Sequence, residues 1–394
     1  MAPPFMVSAP GKVIVFGEHA AVYNQPAIAA AISLRSYLLV TTLSKSKRTV
    51  RLNFKDIGLD HTWALSDLPW NAFQVPCKKK SYHSTVNYLD EELLDTILPH
   101  AEAVSLDLPE EQRKIHIKSA TAFLYLFLSL GSENCPGFVY TLRSTIPTGA
   151  GLGSSASVCV CLSAAMLLQT HSLAGPHPQQ PREEAMLQVE RINQWAFVGE
   201  MCIHGSPSGV DNTVASRGAA LPLLLVDTQQ SRSTSVQLQK VITMRDNHPR
   251  LTDILLDGIG QISAAALEII SPPYPTDHYQ AEVIRELGPL IRVNHGLLVS
   301  LGVSHPRIER VCQLVDDAQI GWTKLTGAGG GGCAIALFQP EAPREEIGNL
   351  IKTLADEGFK TNEIVLGADG FQDIDLEKFE NAVDAQEIEE LVGE

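Results

Sequence analysis

The chain has 394 residues, enough for one large or two ordinary domains with a substantial core. Hydrophobic residues make up 44% and charged residues 19%, which suits a soluble globular protein. The formal charge of −15 argues against a broad nucleic-acid surface, so an anionic ligand needs a locally positive pocket. Seven cysteines are scattered without a CxxC pair, which fits a reducing, cytoplasmic setting better than a disulfide framework. Met1 to Met6 lacks a basic region and a long apolar core, so no signal peptide is expected. The most apolar segment, Ala120 to Leu130, is too short to span a bilayer and reads as a buried helix.

In chain order, Val7 to Phe16 predicts an extended segment kinked at Pro10-Gly11 and ended by Gly17-Glu18-His19. Ala27–Ser33 and Ser36–Thr42 predict two further strands. Lys12 is the first basic residue and sits among apolar neighbours. Such a lysine is solvated at a strand edge or, beside a phosphate site, functional. Residues 43–112 read as strands and loops around one helix, Asp90 to Ala101, with Lys78-Lys79-Lys80 as a solvated loop. Ile117 to Leu130 predicts a helix apolar nearly all round, and Phe138 to Arg143 a strand.

Next comes Pro147-Thr148-Gly149-Ala150-Gly151-Leu152-Gly153-Ser154-Ser155-Ala156, before an apolar run with helical spacing, Val158 to Leu168. Glycines let backbone N–H groups approach a ligand where a Cβ would block them. The helix start adds free donors and the positive end of its dipole. Together they make an anion site of the kind that cradles phosphates, with the Ser155 hydroxyl available to a Mg²⁺ ion. An ordinary loop with a serine N-cap is the competing reading.

After the proline-rich loop His171–Pro181, Arg182 to Cys202 predicts a helix. Glu200 falls in its last turn, where a carboxylate opposes the helix dipole. It is either a surface residue or there for a cation. Asp211, after the tight loop His204 to Val210, is either a helix N-cap or a general base. From about Leu221 come a short strand, Leu223 to Val226, and long helices at about Leu251–Ile270, His278–Leu301 and Arg307–Asp317. A second glycine loop, Lys324 to Cys333, leads into a strand to Phe338. Helix Arg344 to Gly358 and strand Thr361 to Leu366 follow, then an acidic tail, Asp373 to Glu394, read as a solvated helix.

Pro10-Gly11-Lys12 with Gly17-Glu18-His19, the loop Gly149 to Ser155 and the loop Gly327 to Gly332 stand in one chain. In this order and spacing they strongly resemble the GHMP small-molecule kinases, over nearly the whole chain. Within that family the likeness is greatest to the mevalonate kinase branch. It rests on Ala9 to Val13, on Gly17-Glu18-His19 with Ala20 to Tyr23, on Trp195 to Asn212, on Lys324 to Cys333, and on Arg232-Ser233-Thr234. The competing phosphate signatures are missing: no G-x-x-x-x-G-K-[ST], and no H-R-D or D-F-G set.

The resemblance implies an α+β fold in two domains. The first, 1–225, is similar to ribosomal protein S5 domain 2, and the second, 226–394, is a ferredoxin-like sheet with added helices. It implies ATP-dependent phosphorylation of the 5-hydroxyl of (R)-mevalonate, an early step of isoprenoid and sterol synthesis, by a homodimer. By the same resemblance, Gly149, Ala150, Gly151, Leu152, Gly153, Ser154 and Ser155 wrap the triphosphate, with Ser144 near the nucleotide. Ser155 and Glu200 hold Mg²⁺, Asp211 accepts the substrate's proton, and Lys12 stabilises Asp211 and the developing charge. Glu18, His19 and Thr234 lie on the substrate side, and Trp63 contacts the nucleoside. The family's nearby asparagine position is Asp56 here.

Overall fold

The computed structural model describes residues 3–75, 86, 88–147, 149–170, 173, 181–205, 214, 221–230, 233–270, 279–366 and 372–374. Its strands are β1 (Phe5–Phe16), β2 (Ile28–Thr42), β3 (Thr49–Phe54), β4 (Leu59–Ala64), β5 (Phe138–Ser144), β6 (Leu221–Asp227), β7 (Gly321–Leu325), β8 (Cys333–Phe338), β9 (Lys360–Leu366) and β10 (Gln372–Ile374). They hydrogen-bond in the order β4-β3-β5-β2-β9-β6-β8-β7, with β1 pairing both β2 and β10. The early and late strands meet at the bridge of Ile32 with Leu366 and in the pairing of β1 with β10. Only β3 and β5 pair in parallel; the other pairs are antiparallel. With helices covering both groups of strands, this is the expected α+β class.

β1 is apolar and buried along almost its whole length, as a central strand should be. Its pairing with β2 shifts register between Pro10 and Lys12, where the sequence indicates a kink. The two strands expected over 27–42 are one, β2. Arg35, which falls between the two expected strands, is buried at 8% exposure. Its guanidinium donates to the Ser8 hydroxyl and carbonyl, so the charge is satisfied without breaking the strand.

The helix at 90–101 runs Glu91–Glu102, and the Asp90 side chain accepts from the Glu92 and Leu93 N–H groups. Helix Glu110–Leu130 is buried all round from Ala120 to Leu128. Helix Ser154–Gln169 is buried from Ala156 to Leu167 and packs on β1 and β2. Helix Arg182–His204 packs on both of these helices. The later helices are Thr234–Asn247, Pro249–Ile270, Tyr279–Ser300, Pro306–Ala318 and Arg344–Asp356.

One element is missed and one expectation needs correction. Thr234–Asn247 is a helix for which no element is expected; only Gln237 and Val241 of it are buried, so its sequence shows little apolar periodicity. The start of the acidic tail is β10, which pairs Gln372 with Ser8 and Ile374 with Met6. A strand borrowing its pattern from a partner leaves no local signal. The rest of the tail, and the cluster Lys78-Lys79-Lys80, lie outside the described residues. Among the described residues, no helix is long and apolar enough to cross a membrane.

Candidate active site

The loop joining β5 to helix Ser154–Gln169 alternates in hand. Gly149, Gly151 and Gly153 have φ of 75°, 76° and 70°, while Ala150 and Leu152 between them do not have positive φ. Such alternation turns successive N–H groups toward one side and forms an anion-binding nest. Ala150 and Leu152 bury their side chains in the core. Gly153 is the N-cap and supplies no side-chain cap, so the serine N-cap reading does not hold. The dipole's positive end therefore faces the loop without a capping side chain. Thr148 lies outside the described residues.

A cavity of about 500 Å³ opens over this loop. That volume is typical of small-molecule sites. Its lining combines apolar side chains, among them Leu52, Phe54, Ile57 and Ile115, with Gly149, Gly151, Gly153, Ser154 and Ser155 of the loop. Nothing lies within 4 Å of a Cβ placed on Gly149, so the loop faces open space there. Thr234, the first residue of its helix, lines the same cavity as Ser155.

The first motif rests directly on this loop. The Lys12 N–H donates to the Leu152 carbonyl at 2.8 Å. A Cβ on Gly11 would stand 2.9 Å from that same carbonyl oxygen, so only glycine allows the approach. The register shift in β1 sits at this point and sets the direction of Lys12, which is buried at 6% exposure rather than solvated.

Two helices bring the hydroxyl and the carboxylate near each other. The Ser155 hydroxyl pairs with His204 Nε2 at 3.1 Å, and the Cys159 thiol donates to Glu200 Oε1 at 3.9 Å. Ser155 and Cys159 are one turn apart on one helix, and Glu200 and His204 one turn apart on the other. Ser155 and Glu200 therefore occupy apposed helix faces, offset by a turn. Glu200 is buried at 3% exposure, not a surface residue. Burial first, and the Glu200 charge second, push the Cys159 thiol well above its ordinary pKa, so it stays a protonated donor.

Glu18 and His19 are both buried. The Glu18 carboxylate accepts from Lys324 Nζ and, at 3.2 Å, from Asn294 Nδ2. His19 has a φ of 62°, and its Nε2–H donates to the Ala328 carbonyl at 2.9 Å. The Thr326 hydroxyl donates to the Ile14 carbonyl at 2.9 Å. All three glycine-bearing motifs are thus fastened together by hydrogen bonds.

The structure sets other expected residues apart from the cavity. Ser144 pairs its hydroxyl with Ser36 at 3.0 Å, and its N–H donates to Asp56 Oδ2 at 2.7 Å. Neither Ser144 nor Asp56 lines the cavity. Trp63 does not line the cavity. It is 6% exposed, donates to the His100 carbonyl and stacks on Phe123, so its bulk serves the core. Asp211 and Arg232 lie outside the described residues. Sequence reasoning missed Lys324 and Asn294. A lone lysine inside the apolar strand before the second glycine loop was the available signal.

The N-terminal domain model of the GHMP kinases matches residues 116–218, and their C-terminal model residues 280–354. The mevalonate kinase of Aspergillus fumigatus is 58% identical over 100% of this chain and 80% of its own length. That of Saccharomyces cerevisiae is 39% identical over 94% of this chain and 89% of its own. The chain belongs to the GHMP kinases, in the mevalonate kinase family. Solved structures share the two-domain fold of this kinase at low identity. Methanococcus jannaschii mevalonate kinase has a TM-score of 0.66 at 21% identity, covering 93% of this chain and 99% of its own. L. major mevalonate kinase, solved in complex with R-mevalonate, has a TM-score of 0.62 at 22% identity, covering 94% and 97%. The kinase thus carries the expected GHMP architecture of mixed α and β elements.

Proposed function

We infer that this kinase transfers the γ-phosphoryl group of ATP to the 5-hydroxyl of (R)-mevalonate, giving 5-phosphomevalonate and ADP for isoprenoid synthesis. The observation that carries the reading is a glycine-rich loop at a helix start that lines a cavity and to which the other two motifs are tied, one through the other, by hydrogen bonds. The apolar part of the lining suits a nucleobase, and the nest of Gly149 to Ser155 suits the triphosphate.

Phosphoryl transfer asks a protein mainly for positioning and charge neutralisation. In this reading the loop orients the phosphates, and Lys12 neutralises charge developing on the transferred group. Asp211 accepts the proton of the substrate hydroxyl. Glu18, His19 and Thr234 form the substrate side. The donors at Ser155 and Glu200 are a hydroxyl and a buried carboxylate, which fit a hard cation such as Mg²⁺. Among the described residues no cluster of three or more His, Cys, Asp or Glu could hold a metal, which suits an ion held largely by the nucleotide's phosphates. A Mg²⁺ ion held there would supply neutralisation of the phosphate charge. A homodimer in the cytoplasm completes the reading. The six described cysteines are free thiols, in keeping with a reducing compartment.

A coupled assay of ADP release with mevalonate, phosphomevalonate and galactose tests the reading. Turnover should occur with mevalonate and stay at background with the other two. Preferred turnover of phosphomevalonate or galactose would overturn the substrate.

A further inference from the structure

The buried pair of Glu18 and Lys324 joins residues 306 positions apart, and both side chains have 0% exposure. Removing two charges from water is expensive, and such a pair seldom adds stability over apolar residues of similar size. Its surroundings are unusual. Asn294, itself fully buried, donates Nδ2–H to Glu18, yet its Oδ1 has no hydrogen-bond partner. An orphaned buried acceptor is costly. A leucine there would avoid that cost, so the donor must be doing something that packing alone does not. Lys324 Nζ also donates to the Leu325 carbonyl at 2.8 Å, which fixes its direction.

These groups hold one short piece of backbone. Gly17 and His19 flank Glu18 with φ of 96° and 62°. A left-handed conformation at a non-glycine residue stores strain and persists only when its surroundings over-determine it. The corner is bolted twice to one segment, Glu18 to Lys324 and His19 to Ala328. Asn294, from helix Tyr279–Ser300, makes a third point of attachment.

We propose that Lys324 and Asn294 are positioning residues for the hydroxy-acid substrate: by clamping the Glu18 carboxylate they set the strained corner that aims His19 at the substrate. The inference rests on the reading that Glu18 and His19 face mevalonate. ATP binds over the other glycine loop and is not touched by the clamp.

Asn294→Ala separates the outcomes, because it keeps the ion pair and removes only one donor. KM for mevalonate should rise about 3–10-fold, the effect of losing one hydrogen bond of about 1 kcal/mol. KM for ATP should stay within about 2-fold, and the melting temperature should hardly move. Equal rises in both KM values, or a lower melting temperature with unchanged KM values, would overturn the clamp. The double variant Glu18→Gln, Lys324→Met removes both buried charges. It should fold and still show the mevalonate-specific KM defect; a normal KM in this variant also overturns the proposal. His19→Leu is the control for the parent reading. If it raises KM for mevalonate alone while Asn294→Ala does not, only the clamp fails. If His19→Leu affects both substrates equally, the substrate side has been misplaced.

Discussion

The molecule has two glycine loops of similar composition and opposite circumstances. In the first, alternate glycines have positive φ, and a Cβ on Gly149 would meet nothing within 4 Å. In the second, Gly327, Gly329, Gly330, Gly331 and Gly332 all have positive φ. There a Cβ on Gly329 would overlap the Val303 carbonyl oxygen, and one on Gly330 the Gln237 amide. The Gly330 N–H already donates to Val303, and the Gly332 N–H to Gln230. The first loop leaves open space beside Gly149, as the proposed phosphate site requires, whereas the second uses the missing side chains to let protein approach protein. Glycine content alone does not distinguish a binding loop from a packing loop; the occupant of the vacated space does.

The comparison can be broken most severely at Gly329. Gly329→Val should destabilise the fold by about 2–5 kcal/mol, from a strained left-handed backbone together with overpacking. Thermal melting measures this, and a near-normal transition would mean that the second loop is not a packing element. Next in size, Asp211→Asn should lower kcat by at least about 10²-fold while ATP affinity and melting stay near normal. Asparagine caps a helix about as well as aspartate, so retention of more than roughly a tenth of kcat would leave Asp211 only a cap. In the first loop, Gly151→Val places a branched side chain at a φ of 76° where the phosphates are to lie. ATP affinity by calorimetry should fall by at least about 10-fold, and this loss should exceed any fall in stability. Unchanged ATP binding would move the phosphate site elsewhere.

The smallest expected effect is a pH dependence confined to the second loop's frame. His295 Nδ1 accepts from the Leu325 N–H, and its Nε2–H donates to Glu309. Burial, the leading cause, lowers the pKa of His295 below its ordinary 6.5, the nearby Lys324 charge adding to it. The unfolded chain therefore binds the proton more readily. Stability from this group is complete above about pH 6.5 and is lost as pH falls through the lowered folded value. His295→Gln should flatten the melting temperature between pH 7.5 and 5.5. An unchanged slope in that variant would assign the dependence to other groups.

Much of this molecule was legible from residues close together in the chain. Alternating glycines before an apolar helix, Pro10-Gly11-Lys12 and the late glycine run each carry local signals, and each lies where those signals indicated. What escaped was set by partners far away. Arg35 sits inside one continuous strand, its guanidinium hydrogen-bonded to the Ser8 hydroxyl and carbonyl. Thr234–Asn247 forms without a clear apolar stripe because most of its surface stays wet. Trp63 is expected at the nucleoside, and nothing near it in the chain shows that it stacks on Phe123. Within the site, the clamp on Glu18 was invisible because Asn294 and Lys324 meet it across nearly the whole chain.

The pairing of β10 with β1 reaches beyond architecture, into synthesis. β1 leaves the ribosome long before one of its two neighbours, the strand at Gln372–Ile374. Until that strand is made, the backbone of Met6 to Ser8 presents an open edge on which another nascent chain can pair. Vectorial folding of the first half is therefore incomplete until more than three hundred further residues have been made, and chaperone protection of this edge should matter most in that interval.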